Sequence, residues 1–120
     1  MYKRKFRSTL CRSGTERNGT ERNGTERNGT EQNIIHIVSL DDWATDRNIT
    51  KLDFIKADIE GFERYMLEGA QQILRKFEPK LSLCTYHCPD DPEVLEALIL
   101  KANPKYKIIQ RKMKLFAFVP

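Results

Sequence analysis

The 120-residue sequence predicts an α/β domain with an open sheet that ends in an antiparallel hairpin. Three observations support this fold class. The length suits one small domain. Strand-like and helix-like hydrophobic patterns alternate along residues 34–120, in the order strand, helix, strand, helix, hairpin. The first 33 residues lack such patterns, so the predicted domain is confined to the remainder.

A five-residue repeat fills most of the N-terminal segment. Four copies of Gly-Thr-Glu-Arg-Asn run from Gly14 to Asn33, with Gln in place of Arg in the last copy. The repeat has no aliphatic or aromatic side chain, so burial cannot offset the conformational entropy that ordering would cost. We therefore expect residues 1–33 to be a disordered basic tail and residues 34–120 to be the folded domain.

The net charge of +4 lies entirely in that tail. Residues 1–33 carry eight basic and four acidic side chains, whereas residues 34–120 carry thirteen of each. A neutral domain argues against a nucleic-acid partner. The sequence shows neither a membrane-spanning stretch nor a secretory signal, so we expect a cytoplasmic protein without a membrane partner. Its three cysteines, Cys11, Cys84 and Cys88, are expected to be reduced.

The first elements of the domain are short. The β-branched run Ile34–Leu40 predicts a strand, within which His36 is expected to be structural. Ser39 has the spacing of a helix cap and predicts a short helix over Asp42–Arg47. The mostly apolar run Leu52–Ile59 predicts the next strand.

The pattern over Phe62–Phe77 predicts one amphipathic helix. Acidic residues cluster early in it and basic residues late, as the helix dipole favours, and Pro79 ends it. Leu81–His87 predicts the following strand. The apolar stripe of the helix comprises Phe62, Met66, Ala70, Ile73, Leu74 and Phe77.

A second helix and a hairpin complete the domain. Asp91 is the predicted N-cap of this helix, with Pro92 at its first position, and Asn103-Pro104 ends it. Tyr106–Gln110 and Leu115–Val119 predict two short strands that pair as a hairpin.

Two carboxylates mark the place where chemistry is expected. Asp58 and Glu60 stand at the carboxyl end of the strand Leu52–Ile59, directly before Gly61, which permits a sharp turn into the helix. Ligands of open α/β sheets bind outside the carboxyl ends of strands. The alternative is that Glu60 and Glu63 only complement the helix dipole.

Several motifs in order resemble the C-terminal half of FkbM-family methyltransferases. The resemblance covers about residues 34–120. It implies a partial Rossmann-like sheet, S-adenosylmethionine (SAM) as methyl donor, and a small-molecule acceptor that is commonly a hydroxyl group. The motifs are Ser39-Leu-Asp-Asp-Trp43, Leu52-Asp-Phe-Ile-Lys-Ala-Asp-Ile-Glu-Gly-Phe-Glu63, Glu68-Gly-Ala70, and Pro79-Lys-Leu81 through Tyr86-His87.

The resemblance also implies roles for individual residues. Asp58 and Glu60 would lie near donor and acceptor, and His87 would be a possible catalytic base, although a structural histidine is an equal alternative. Asp41 and Asp42 are candidates for binding the cofactor's adenine or a substrate, and helix capping explains them equally well.

The sequence departs from the family in its glycines. Family members hold SAM with a glycine-rich loop, yet residues 34–120 contain only Gly61 and Gly69. We therefore expect this chain alone to be inactive and to need a complementary N-terminal half beside the edge of Leu52–Ile59. The alternative is a non-enzymatic remnant or interaction module that pairs through that open edge.

A metal site is not expected. Cys84, His87 and Cys88 are ligand types, but an extended strand would place the two cysteines about 13 Å apart. Cys84 is expected to be a buried core thiol instead.

Overall fold

The structure, a computed structural model, describes residues 34–120. The chain divides into two units, Met1–Val38 and Ser39–Pro120. The expectations for residues 1–33, namely the disordered repeat and the reduced Cys11, lie outside the described residues.

The second unit contains four helices and four strands within the described residues. In chain order they are α1 Leu40–Asp46, β1 Phe54–Ala57, α2 Glu63–Glu68, α3 Gln71–Lys76, β2 Lys80–Cys84, α4 Asp91–Ala102, β3 Lys107–Arg111 and β4 Lys114–Phe118.

The four strands form one mixed sheet in the order β1-β2-β4-β3. β1 pairs with β2 in parallel, from Phe54 opposite Lys80 to Ala57 opposite Leu83. β4 pairs antiparallel with both β2 and β3, and β3 and β4 form the C-terminal hairpin. The α/β class and the hairpin are therefore confirmed, and β1 lies at an edge of the described sheet.

The predicted strand at Ile34–Leu40 is wrong. Residues 34–39 have no regular structure, and residues 34–38, including His36, are exposed. The apolar pattern is that of a strand, but no strand of the described residues pairs with it, and an isolated strand leaves its backbone groups without partners. The chain instead enters α1, where the Ser39 Oγ accepts the amide N–H of Asp42 at 3.1 Å, as the capping pattern predicts.

The predicted single helix over Phe62–Phe77 is divided into α2 and α3 at Gly69-Ala70. Gly69 packs so closely on Ser39 that a Cβ at Gly69 would lie 2.9 Å from the Ser39 Cβ. The helix is interrupted where Gly69 packs against Ser39, and a new helix begins at Gln71. The apolar residues keep their helical spacing on both sides of this break. Leu67, which is not part of the predicted stripe, is fully buried.

The core lies between the sheet and helices α2, α3 and α4. The hydroxyl group of Tyr106 donates a 2.7 Å hydrogen bond to the carbonyl of Pro79 beneath it, and burial raises the pKa of that hydroxyl. The fully buried side chains include Leu67, Ile73, Leu74, Leu81, Leu83, Leu95, Ile99 and Leu115. No helix among residues 34–120 is long and apolar enough to cross a membrane.

Two further corrections concern the segment after β2. This strand ends at Cys84 rather than at His87, so residues 85–90 form a loop. α4 begins at Asp91, with Asp90 rather than Asp91 as its N-cap. β2 ends where its pairing partner β4 begins, since Cys84 lies opposite Lys114. The Asp91 carboxylate accepts the amide N–H of Cys88 at 2.9 Å, so it is engaged with the loop before α4.

Cys84 is a free thiol that is buried in the core, as expected. Burial raises the pKa of this thiol. The expectation of a reduced Cys88, like that of a reduced Cys11, stays a prediction.

Candidate functional site

The candidate site lies where two parallel strands end side by side. β1 ends at Ala57 and β2 at Cys84, and Ala57 pairs with Leu83. The loops that follow, residues 58–62 and 85–90, therefore leave the same edge of the sheet. In open α/β sheets this edge is the usual place for ligands.

The loop after β1 is a tight turn with unusual backbone angles. The amide N–H of Phe62 donates to the carbonyl of Ile59 at 3.1 Å, which closes a four-residue turn. Its two central residues, Glu60 and Gly61, have φ values of 58° and 92°, as in a type I′ turn. Glycine adopts such angles freely, whereas glutamate adopts them at a cost, so the surrounding contacts must hold Glu60 in place.

The structure brings together the three predicted catalytic residues. The His87 Nε2 lies 3.2 Å from the Asp58 Oδ1, and the His87 Nδ1 lies 3.7 Å from the Glu60 Oε2. The His87 side chain is only 10% exposed, while that of Asp58 is 50% and that of Glu60 83% exposed. The nearly buried imidazole of His87 thus has a solvent-exposed carboxylate near each of its two nitrogens.

Tyr86 is a member of the site that our sequence reasoning did not assign to it. Its hydroxyl donates to the Asp58 Oδ1 at 3.1 Å, and its ring lies against the His87 ring with centroids 4.1 Å apart. Hydrogen bonds from His87 first and Tyr86 second lower the pKa of Asp58. The same bond to Asp58 raises the pKa of Tyr86. The only sequence signal was its position next to His87 in the quoted motif.

Two adjacent residues at the start of α2 support the loops. Glu63 is fully buried, and its Oε1 accepts the amide N–H of Ile59 at 2.8 Å. Arg64 donates from one guanidinium nitrogen to Asp90 at 2.8 Å and to Asp91 at 2.7 Å. The hydrogen bond with Asp90 is the largest cause of the raised Arg64 pKa. The dipole interpretation of Glu63 missed both its burial and its partner.

The two predicted cofactor-binding residues occupy a different part of the chain. The Asp41 carboxylate accepts the amide N–H of Gln72 at 3.0 Å and that of Ile73 at 2.9 Å, so it caps α3. Asp42 is exposed, and its amide N–H donates to Ser39. Helix capping, the alternative for these residues, is what the contacts show, and cofactor binding by Asp41 and Asp42 stays a prediction.

Metal-ligand atoms come within 4.8 Å of one another in two groups among residues 34–120. One group is Asp58, Glu60 and His87, whose oxygens and imidazole are ligand types that divalent cations accept. The other combines Cys88 with Asp90 and Asp91, but both carboxylates already accept from Arg64, and that of Asp91 also accepts from the Cys88 amide. The expectation of no metal stays a prediction.

Comparison with known proteins decides the family. The family described as Methyltransferase FkbM domain matches residues 4–108, which include every candidate site residue. The chain belongs to the FkbM methyltransferase family. Its match begins in the N-terminal tail, well before residue 34, where the sequence resemblance was expected to start. None of the curated proteins matches the chain.

A solved FkbM methyltransferase supports the same assignment. The crystal structure of methyltransferase FkbM from Methylobacillus flagellatus KT is similar to this chain, with 35% identity and a TM-score of 0.51. The match covers 54% of this chain and 19% of that one. This chain therefore corresponds to a small part of that FkbM protein.

Family membership implies SAM as methyl donor, but the described residues do not fit the role of holding it. Gly61 serves the turn after β1, and Gly69 is packed against Ser39. Both oxygens of Asp41 are occupied by backbone amides. Residues 34–120 thus show no glycine-lined cradle and no uncommitted Asp41 carboxylate for a ribose or adenine.

Proposed function

We propose that residues 34–120 form the acceptor side of an O-methyltransferase site, with His87 as the base and Asp58 and Glu60 beside it. The observation that carries this proposal is the 3.2 Å contact between the His87 Nε2 and the Asp58 Oδ1 at the carboxyl ends of two neighbouring strands. The acceptor is a small molecule with a hydroxyl group, the type that the family resemblance implies. SAM binding belongs to residues outside 34–120.

The geometry suits removal of a hydroxyl proton. When the His87 Nε2 carries the proton, it donates to Asp58, which fixes the ring's orientation and tautomer. The Nδ1 then carries a lone pair on the side of Glu60, 3.7 Å from its Oε2. A hydroxyl group placed beside it would give its proton to Nδ1.

We further propose that the chain needs a complementary half to be active. Among the strands of residues 34–120, β1 lies at an edge of the sheet, and Phe54 on it is 54% exposed. A strand added beside β1 would cover this residue and extend the sheet next to Asp58. That strand would bring the donor-binding residues that residues 34–120 do not supply.

The same edge supports a second candidate function. A domain whose described sheet ends in a strand paired on one side only, with exposed apolar side chains, can act as a non-enzymatic interaction module that pairs through β1. The two candidates differ in what His87 does: a pairing module uses the edge and not the imidazole.

Methyl transfer by a complemented protein tests the proposal. The chain is joined to the preceding part of the Methylobacillus flagellatus protein and assayed with labelled SAM against small hydroxyl compounds. We expect His87→Asn to lower kcat by about 100-fold or more, because general-base catalysis contributes at least that much. His36→Asn is the matched control, since His36 is exposed and outside the site. An unchanged kcat in His87→Asn would overturn the proposal in favour of the pairing module.

A further inference from the structure

Two consecutive side chains at the start of α2 each bind a different loop of the candidate site. We propose that Glu63 and Arg64 are positioning residues that together set the contact between Asp58 and His87. This inference rests on the proposed function in that it concerns the same three side chains, but its geometry is tested without any methyl transfer.

Glu63 holds the loop that carries Asp58 and Glu60. Its carboxylate is fully buried and accepts the Ile59 amide N–H at 2.8 Å, between the two site carboxylates in the chain. Its Oε2 has no hydrogen-bond partner among the described residues. Burying a carboxylate that accepts only one amide hydrogen bond costs free energy. A function of Glu63 in shaping this turn would account for that cost.

The turn needs such support. Glu60 has a φ of 58°, which a residue with a side chain adopts only when its surroundings impose it. The bond from Ile59 to Glu63 spans the turn from its first residue to the helix, and thereby closes it a second time beside the bond between Ile59 and Phe62. Without it, the direction in which Asp58 leaves β1 would be less restricted.

Arg64 holds the loop that carries His87. Its guanidinium donates to the Oδ1 of Asp91, a carboxylate that is only 1% exposed. The Oδ2 of the same carboxylate accepts the amide N–H of Cys88, the residue directly after His87. Arg64 therefore acts on the backbone beside the imidazole through one charged intermediary, and its bond to Asp90 adds a second contact to the same loop.

Glu63 and Arg64 are neighbours on one helical turn, and this explains how the two site loops keep a fixed position relative to each other. Consecutive residues of a helix point about 100° apart, so neighbouring side chains can reach two different loops. The backbone between Glu63 and Arg64 is rigid within α2, and this fixes the separation of the two attachment points. The 3.2 Å spacing of Asp58 and His87 follows from both bonds rather than from either strand alone.

Nuclear magnetic resonance on the full 120-residue chain tests the first bond with paired variants. Glu63→Leu removes the acceptor, whereas Glu63→Gln keeps a side-chain oxygen that can accept from Ile59. In Glu63→Leu we expect the Ile59 amide to exchange about tenfold faster or more. We also expect the Asp58 pKa to rise toward its ordinary value. In Glu63→Gln both should stay as in the wild type. Glu93→Leu, at an exposed position of α4, is the matched control.

The second bond is tested in the same way. Arg64→Met removes the group that holds the Asp91 carboxylate, so the Cys88 amide should exchange faster. The Asp58 pKa should rise as His87 withdraws, while Arg64→Lys should preserve part of the contact. A merely structural role would lower the melting temperature without moving the Asp58 pKa of the folded form.

Three results would overturn the inference. They are an Asp58 pKa that stays low in folded Glu63→Leu and Arg64→Met, an Ile59 amide that exchanges freely in the wild type, and a folded Glu63→Gln with the same losses as Glu63→Leu. If the leucine variant does not fold, the wild-type exchange and the glutamine variant decide. None of these measurements depends on methyl transfer, so a failure of the proposed function would be seen separately in His87→Asn.

Discussion

Two aspartates at the ends of secondary-structure elements have opposite surroundings. Both carboxylate oxygens of Asp41 accept hydrogen bonds from backbone amides at the start of α3. Asp58, at the end of β1, accepts instead from the side chains of Tyr86 and His87. A carboxylate committed to backbone groups holds the fold, whereas one bonded to titratable side chains is available for proton chemistry. The type of hydrogen-bond donor, backbone amide or titratable side chain, distinguishes Asp41 from Asp58 more clearly than their exposure or their position in the sequence does.

The largest expected contrast is in activity. We expect Asp58→Ala to lower kcat of the complemented enzyme by about 100-fold, because His87 loses the group that orients it. The melting temperature should fall only slightly, since the Asp58 side chain is half exposed. Asp41→Ala should leave kcat of the folded enzyme unaltered. Equal kcat losses in the two variants would remove the distinction between the aspartates.

The next contrast is in stability. Asp41→Ala should lower the free energy of unfolding by about 1–2 kcal/mol, the usual cost of losing a helix cap. Asp42→Ala is the control, because only its backbone amide takes part in the capping of α1. Urea unfolding of both variants measures the difference. If Asp42→Ala proved the more destabilising variant, the capping role of Asp41 would be wrong.

The smallest expected effect is on proton binding. The Asp58 pKa is lowered below its ordinary value of 3.8 in the folded chain, chiefly by His87 and then by Tyr86. The unfolded chain therefore takes up this proton first as the pH falls. Asp58 contributes stability above about pH 3.8, and the contribution is lost as the pH falls through the lower, folded-state pKa.

Carbon-13 titration of the Asp58 carboxyl measures this shift directly. Tyr86→Phe should raise the Asp58 pKa a little and His87→Asn should raise it more, in the order of their contributions. The reverse order would show that the tyrosine, and not the imidazole, is the principal partner.

The sequence predicted those features that depend on local pattern. The cap at Ser39, the strands near Phe54 and Leu81, and the hairpin follow from turn chemistry and hydrophobic period. The strand at Ile34–Leu40 failed because pairing depends on a neighbour that no local pattern reveals. The division between α2 and α3 failed for a similar reason, since the contact of Gly69 with Ser39 joins residues thirty positions apart.

The site was predictable in part. Asp58, Glu60 and His87 were found because chemical residue types stand at strand ends, and the parallel pairing of β1 and β2 then brings them together. Tyr86 was missed because its hydroxyl reaches across to another strand's loop. Glu63 and Arg64 were missed because an acidic and a basic residue at a helix start are ordinarily solvated.

The four-residue β1 has a consequence for how the domain opens. Among the described strands, β1 is hydrogen-bonded on one side only. Helices α2 and α3 lie between β1 and its partner β2 in the chain. A short strand that is hydrogen-bonded on one side only has few contacts to lose, so it is among the first elements to open in local fluctuations. β2 is a central strand of the described sheet, and it stays paired with β4 in such an opening. Asp58 would then part from His87 while most of the domain stayed native, so a strand partner on the free edge of β1 would close the site as well as complete the sheet.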